Sequence, residues 1–252
     1  MKSMLVGFIA TATLFCSVSV VAQETEHHAH WAYNGKDGPN KWATLDPAFA
    51  ECKVGHRQSP IDIRNTEKAN LPPIQFDYKS SPLTLIDNGH TVMVNYAPGS
   101  FITVGEHRYQ LTQFHFHHPS EEHIDGKGFD MVIHLVHTDE SGKLAVVAVL
   151  LKPGKINAAL QAVWDHLPKE KDKVTTVEGV SINAADLLPV DHGYYTFIGS
   201  LTTPPCTEPV TWFVLKTPEE ISSGEVETFA RLYPHDTRPT QKLDGRVILE
   251  SK

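Results

Sequence analysis

His115 and His117 stand two apart in QFHFHHPSEEH (residues 113–123), and a further histidine, His134, lies in FDMVIHLVHT (residues 129–138). Neutral imidazole is a good zinc ligand, and three protein ligands leave the fourth tetrahedral position for water, as in catalytic rather than structural sites. In a strand successive side chains alternate faces, so His115 and His117 point one way while Phe114 and Phe116 point the other. By the same rule Val132, His134 and Val136 share a face, and Met131, Ile133, Leu135 and His137 take the opposite one. A histidine flanked by valines is awkward as a neutral core residue unless its nitrogen meets a hydrogen bond or a metal. The H-x-H pair alone reads as readily as two satisfied surface histidines; His134, on a second apolar strand, supplies a third ligand and favours the metal. His118 faces away from the pair and reads as a rim residue, outside the coordination sphere together with His123.

Ligands on neighbouring strands require a sheet. From Gln75 onward the chain runs in short alternating or apolar stretches between turn residues. Examples are LTLIDNGHTVMVNYAPGS (residues 83–100), FDMVIHLVHTDESGKLAVVAVLLKPGK (129–155), PVTWFVLK (209–216) and GRVILE (245–250). Period-two alternation rich in β-branched and aromatic residues, broken by Asn-Gly, Pro-Gly and Ser-Gly, predicts a sheet-dominated fold with hairpin connections. Helical signals are fewer: NAALQAVWDHL (157–167), INAADLL (182–188) and TPEEISSGEVETFARLY (217–233), where Thr217, Pro218 and the glutamates after them resemble a helix start. No repeat and no Pro- or Gly-rich linker divides the chain, which reads as one domain over residues 23–252.

The 252 residues, 40% hydrophobic and 21% charged, suffice for one domain with a substantial core. The first 22 residues, with Lys2, an apolar stretch and small residues at Val20 and Ala22, read as a secretory signal peptide cleaved after Ala22. A retained anchor and a lipoprotein signal at Cys16 are the alternatives; the apolar stretch is short for the first, and Phe15 is too bulky for the second. No later run is long enough to span a bilayer as a helix, so the mature protein reads as soluble and as periplasmic or secreted. The formal net charge of −8 becomes one unit more negative without Lys2. An acidic chain with no basic run is a poor partner for nucleic acid or an anionic membrane, which leaves a small-molecule substrate. Cleavage removes Cys16 and leaves Cys52 and Cys206, which in an exported protein read as one disulfide; two free buried thiols are the alternative.

A competing motif is present. HFHHPSE followed by Gly128 fits the cupin pattern, in which Glu121 would join the histidines on iron or manganese. The second cupin motif and the glycine expected before His115 are both missing.

Residues far from the histidines separate the two readings. GSLTTPPCTEPVTWFVLK (199–216), with GHRQSPIDI (55–63), DNGHTVMVN (87–95), QFHFHHPSE (113–121) and HLVH (134–137), resembles the α-class carbonic anhydrases, in particular the exported bacterial ones. The likeness runs from HWAYNGKDGPNKW at His30 to TRPTQKLDGRVILE (237–250) and covers essentially the whole mature chain. It implies a mainly β (α+β) fold: a large, twisted, mostly antiparallel sheet of about ten strands, with short surface helices and zinc at the bottom of a conical cleft. It also implies reversible hydration of carbon dioxide to bicarbonate and a proton by zinc-bound hydroxide, and weak hydrolysis of activated esters as a side activity.

The resemblance assigns roles position by position. His115, His117 and His134 match the Zn2+ ligands. Thr202 matches the residue that accepts a hydrogen bond from the hydroxide, and Glu121 the carboxylate that accepts from Thr202, which leaves the threonine oxygen only an accepting role. The count from PSE to HLVH selects Glu121 over Glu122, and Glu122 stands where the family often has histidine. Thr203 borders the product, and Gln113 supports a ligand imidazole. Val136, Val146, Leu201, Val210 and Trp212 match the apolar wall that carbon dioxide needs; on residue type alone they are ordinary core. His90 matches the proton shuttle, a task suited to an imidazole of pKa near 6.5, with Tyr33 and Asn88 ordering the water between; otherwise it is a solvated loop histidine. Cys52 and Cys206 match the disulfide of secreted members, tying the loop of Leu201, Thr202 and Thr203 to the segment around Gln58. Sulfonamide and anion inhibitors are implied as ligands; the sequence leaves the oligomeric state open between a monomer and the homodimer that bacterial relatives often form.

The chain also departs from the family. Val132 stands where a glutamate commonly receives the Nδ1 proton of the third ligand, so zinc is expected to leave faster than in relatives with that carboxylate. Met93 replaces a polar cleft residue, and Ala32 the glycine of the usual His-Trp-Gly-Tyr. His27, His28 and His30 form an N-terminal cluster that buffers metal or is simply a flexible tail. A catalytically impaired relative is the other alternative, although such proteins usually lack a zinc histidine and this chain has all three.

Overall fold

The computed structural model of the chain describes residues 29–252; the expected signal peptide with its cleavage after Ala22, and His27 and His28, lie outside them. The alternating stretches form strands because β-branched and aromatic side chains pack well on a pleated surface. Thirteen strands join in one sheet among the described residues. Ten follow a single path: Thr175–Ile182, Ser81–Asp87, Val92–Asn95, His107–His117, Met131–Thr138, Leu144–Pro153, Val210–Leu215, Tyr194–Gly199, Leu249–Ser251 and Glu67–Ala69. Pairing is antiparallel except where Leu144–Pro153 meets Val210–Leu215 and Glu219–Ile221, and where Leu249–Ser251 meets Glu67–Ala69. The fold is thus mainly β, one large mixed sheet with a few short helices.

The two faces of the sheet do different work. On one, Phe114, Phe116, Ile133, Leu135 and Val147 belong to the main core, closed by Trp164 of helix Ala158–Trp164 and Phe229 of helix Ser223–Ala230. The Phe116 ring lies 4.8 Å from that of Trp164 and 5.9 Å from that of Phe229. Burying such a side chain contributes roughly 1.5–3 kcal/mol and fixes the back of the strand whose other face carries His115 and His117. On that other face Val132, Val136, Val146, Ala148, Val210 and Trp212 form a second apolar cluster.

The helix expected to begin at Thr217 begins later. Ser222 accepts from the Glu225 backbone N–H while the Glu225 carboxylate accepts from the Ser222 backbone N–H, a reciprocal cap that starts the helix at Ser223. The residues ahead of it pair as the strand Glu219–Ile221 with Leu151–Pro153, which buries Ile221.

His137 lies on the core face, with no exposed surface. Its Nε2 is 2.8 Å from the Tyr78 hydroxyl, and the two rings are stacked. Burial pushes its pKa from 6.5 down to about 3. A base held below its unfolded value adds stability that is fully present above pH 6.5 and is lost as pH falls toward 3, because the unfolded chain takes up a proton that the folded one refuses. Urea unfolding at stepped pH should therefore show a shallower loss of stability in this window for His137→Gln, by up to about 1.4 kcal/mol per pH unit. Parallel curves for parent and variant would contradict this.

Candidate metal centre

Strand register brings the three histidines together. His115 pairs directly with His134 across the antiparallel strands, and His117 pairs with Val132. Residues opposite one another in such a pair face the same side. One nitrogen from each of His115, His117 and His134 lies within 4.8 Å of the others. A single ion with nitrogen ligands at about 2.0–2.1 Å draws such a set together with modest side-chain movement.

The remaining ring nitrogens are all engaged. His115 Nδ1 lies 2.8 Å from Gln113 Oε1, and His117 Nδ1 lies 2.7 Å from the Asp236 carbonyl oxygen. His134 Nε2 lies 3.1 and 3.2 Å from the two Glu122 oxygens. All of these partners are acceptors, which assigns the ring protons to those nitrogens and leaves lone pairs on His115 Nε2, His117 Nε2 and His134 Nδ1. His117 Nε2 is buried with no hydrogen-bond partner, the kind of orphan that a metal satisfies. Burial, reinforced by His117 and His134, holds the His115 pKa well below 6.5, so the ring stays in its neutral, ligating form. The donor set fits zinc.

Two expectations about Val132 are corrected here. The nitrogen of His134 that meets a carboxylate is Nε2, not Nδ1, and the carboxylate comes from Glu122. Val132 itself sits in the second apolar cluster with no exposed surface.

Glu121 is buried beside the histidines. Its Oε1 accepts from the Arg238 backbone N–H at 2.8 Å. Its Oε2 has no hydrogen-bond partner, and stands 3.5 Å from His117 Nε2 and 4.0 Å from His134 Nδ1. The structure does not draw the expected hydrogen bond from Thr202 to that oxygen. Thr202 is buried and Thr203 half-buried in a loop closed by Leu201 N–H to Thr207 O and Cys206 N–H to Thr203 O. The Cys52–Cys206 disulfide anchors this loop.

Arg238 links the loop to Glu121, a role that went unread in the sequence although TRPTQ was among its motifs. Its guanidinium donates to Gln58 Oε1, Ser59 O and Cys52 O, and Gln58 Nε2 donates to Cys206 O. Burial lowers the Arg238 pKa to about 10, which still leaves it charged at neutral pH. Asp236 was missed as well. Besides holding His117 through its carbonyl, its Oδ1 accepts from the His118 backbone N–H at 2.8 Å. Its carboxyl is pushed up to about 7 by burial, against the opposing pull of His117.

Val136, Val146, Val210 and Trp212 lie in the second cluster, with Leu201 packed against it, and the Trp212 ring is 5.0 Å from that of His134. Met93 pairs with His115 on the neighbouring strand. His118 turns away, its Nδ1 2.9 Å from the Pro234 carbonyl, and His123 lies on the short strand that pairs with Asp62–Ile63. His90 is half-buried on a turn in which Asn88 Oδ1 accepts from the backbone N–H groups of His90 and Thr91, and Gly89 takes a φ of 81°. The His90 ring stacks on Trp31 at 3.6 Å, with His30 6.4 Å away. Burial, with help from His30 and Lys171, lowers the His90 pKa below 6.5. The Tyr33 ring lies 6.5 Å from that of His117, and burial, with Glu121 and Asp236 adding to it, pushes its phenol well above 10.

The sequence model of the eukaryotic-type carbonic anhydrase family matches residues 37–252. A carbonic anhydrase of Nostoc sp. is 39% identical over 252 residues, covering 98% of this chain and 95% of that protein. A hyperthermostable carbonic anhydrase identified from an active hydrothermal vent chimney superimposes with a TM-score of 0.86 at 43% identity, over 88% of this chain and 100% of that one. The α-carbonic anhydrase of Thermovibrio ammonificans, solved with the inhibitor sulfanilamide, gives 0.85 at 39%, over 89% and 99%. The chain belongs to the eukaryotic-type, or α, carbonic anhydrase family, the enzymes of carbon dioxide hydration. The cupin alternative falls with that assignment.

Proposed function

We propose that the chain holds zinc through His115, His117 and His134 and hydrates carbon dioxide reversibly to bicarbonate and a proton. The observation that supports this best is the set of three imidazoles, each with its outer nitrogen engaged by an acceptor and its inner lone pair turned to a common point. Bound zinc supplies Lewis acidity that makes water a nucleophile near neutral pH, behaviour for which carbonic anhydrases are the standard example.

The rest is the work of the chain. Thr202 orients the nucleophile once its hydroxyl turns to the unpartnered Glu121 Oε2, an arrangement that leaves the threonine oxygen able only to accept. Glu121 is held for this by the Arg238 backbone N–H. Val136, Val146, Leu201, Val210 and Trp212 give carbon dioxide an apolar seat free of competing hydrogen bonds, and Thr203 borders the departing bicarbonate. His90 carries the proton from the centre to solvent, with Tyr33 and Asn88 shaping the route. The same nucleophile gives weak esterase activity. Sulfanilamide, which binds the Thermovibrio enzyme, is the expected inhibitor. The Cys52–Cys206 disulfide suits an oxidising compartment, and with the expected leader it supports a periplasmic or secreted location. Among the described residues no helix is long and apolar enough to cross a membrane.

Stopped-flow hydration with a pH indicator tests the function: turnover by the zinc-loaded protein, abolished by sulfanilamide, is expected. A folded, zinc-loaded protein without turnover would leave the impaired-relative alternative. The shuttle is tested by His90→Ala. General acid–base groups contribute about 10²–10⁴-fold, and kcat should fall toward the lower end of that range while kcat/KM barely changes, because proton removal follows the carbon dioxide step. Imidazole buffer should restore much of the loss. Equal kcat in dilute non-imidazole buffer would remove His90 from the mechanism.

A further inference from the structure

The family's usual glutamate at position 132 is a valine in this chain, yet the third ligand has a carboxylate. We infer that Glu122 is the positioning residue of His134, acting from the loop after strand His107–His117 where the family acts from position 132 on the strand of His134 itself. Val132 and Glu122 are then the two halves of a single exchange. The inference rests on the zinc reading above.

Burial, anchoring and the surroundings of Val132 support it. Glu122 has no exposed surface, and a buried carboxylate is costly unless it is paired. Among the described residues, His134 is the side chain that hydrogen-bonds it, through both carboxylate oxygens. The Glu122 backbone is fixed independently of the metal: its carbonyl accepts from Ser120 Oγ at 2.8 Å, and that oxygen in turn accepts from the Phe129 backbone N–H at 2.8 Å. The next residue, His123, pairs with Asp62 in a short parallel ladder. Val132 packs with Ile61, Ile63 and Leu150 and offers His134 no polar atom. Glu122 therefore sets which nitrogen of His134 carries the proton and which lone pair, that of Nδ1, faces His115 and His117. A carboxylate in that place also raises the basicity of the ligand.

The test is zinc release from the full-length zinc-loaded protein into excess chelator, run on the parent, Glu122→Gln, Glu122→His and the double variant Glu122→His/Val132→Glu. Loss of such an outer partner costs about 10–100-fold in metal affinity, so both single variants should release zinc about 10–100-fold faster. The double variant, which restores the family's arrangement, should return to within about threefold of the parent. A general structural role for Glu122 predicts no such rescue. Metal-free melting curves identify any variant that fails to fold, and Glu122→Gln, nearly isosteric, stands in if Glu122→His does so. Parent-like release from a folded Glu122→Gln, or fast release from a folded double variant, overturns the inference while leaving the zinc reading intact. A parent that holds no zinc overturns both.

Discussion

Alanine at His117 is expected to abolish tight zinc binding and, with it, carbon dioxide hydration. His117 is almost fully buried: its Nδ1 is held by the Asp236 carbonyl, and its Nε2 is buried with no hydrogen-bond partner. Removing an outer partner of a ligand already costs about 10–100-fold in affinity, and removing the ligand should exceed that range. The readout need not be activity. A ligand that binds only the folded state at 100 times its Kd stabilises by about 2.7 kcal/mol, so zinc should raise the melting temperature of the parent and leave that of His117→Ala almost unmoved. An equal zinc-induced shift in both proteins would place the metal elsewhere.

The second large effect is expected at the disulfide. Cys52 and Cys206 are 154 residues apart, and closing so long a loop stabilises by about 3–5 kcal/mol in the chain-entropy account. For a chain of this length each kcal/mol moves the melting temperature by about 2–4 °C, so Cys206→Ser under oxidising conditions should melt roughly 6–20 °C lower. The same change frees the loop of Leu201, Thr202 and Thr203, whose Cys206 carbonyl accepts from Gln58. Turnover should therefore fall at temperatures where the variant is still folded. An unchanged melting temperature would refute the stabilising role.

The contrast between His134 and Glu122 shows how far the sequence could be read. Strand alternation placed His115 and His117 on one face, and the valines around His134 marked it as needing a partner. Both signals are local and have period two, and the register of His115 opposite His134 turned them into one centre. That register could not be derived from alternation alone, because a bulge between Leu111 and Gln113 shifts the pairing. The carboxylate on His134 was misplaced for a related reason. Glu122 lies on a loop, where no periodicity says which way a side chain points, and it reaches a ligand 12 residues away. Asp236 holds His117 through its backbone carbonyl, which every residue possesses, so no residue type announces it. The start of helix Ser223–Ala230 had its signal in Ser222 and Glu225, but Thr217 and Pro218 offered an equally good one. The pairing of Glu219–Ile221 with Leu151–Pro153, a contact between distant segments, decided between them.

The central claim, that one zinc held by His115, His117 and His134 makes this chain a carbon dioxide hydratase, is tested most directly by titrating metal-stripped protein with zinc while following the hydration rate. The rate should rise in proportion to added zinc and break sharply at one equivalent per chain, with metal analysis giving the same stoichiometry. Hydration that persists in the stripped protein, or a zinc-saturated protein that does not hydrate carbon dioxide, would contradict it.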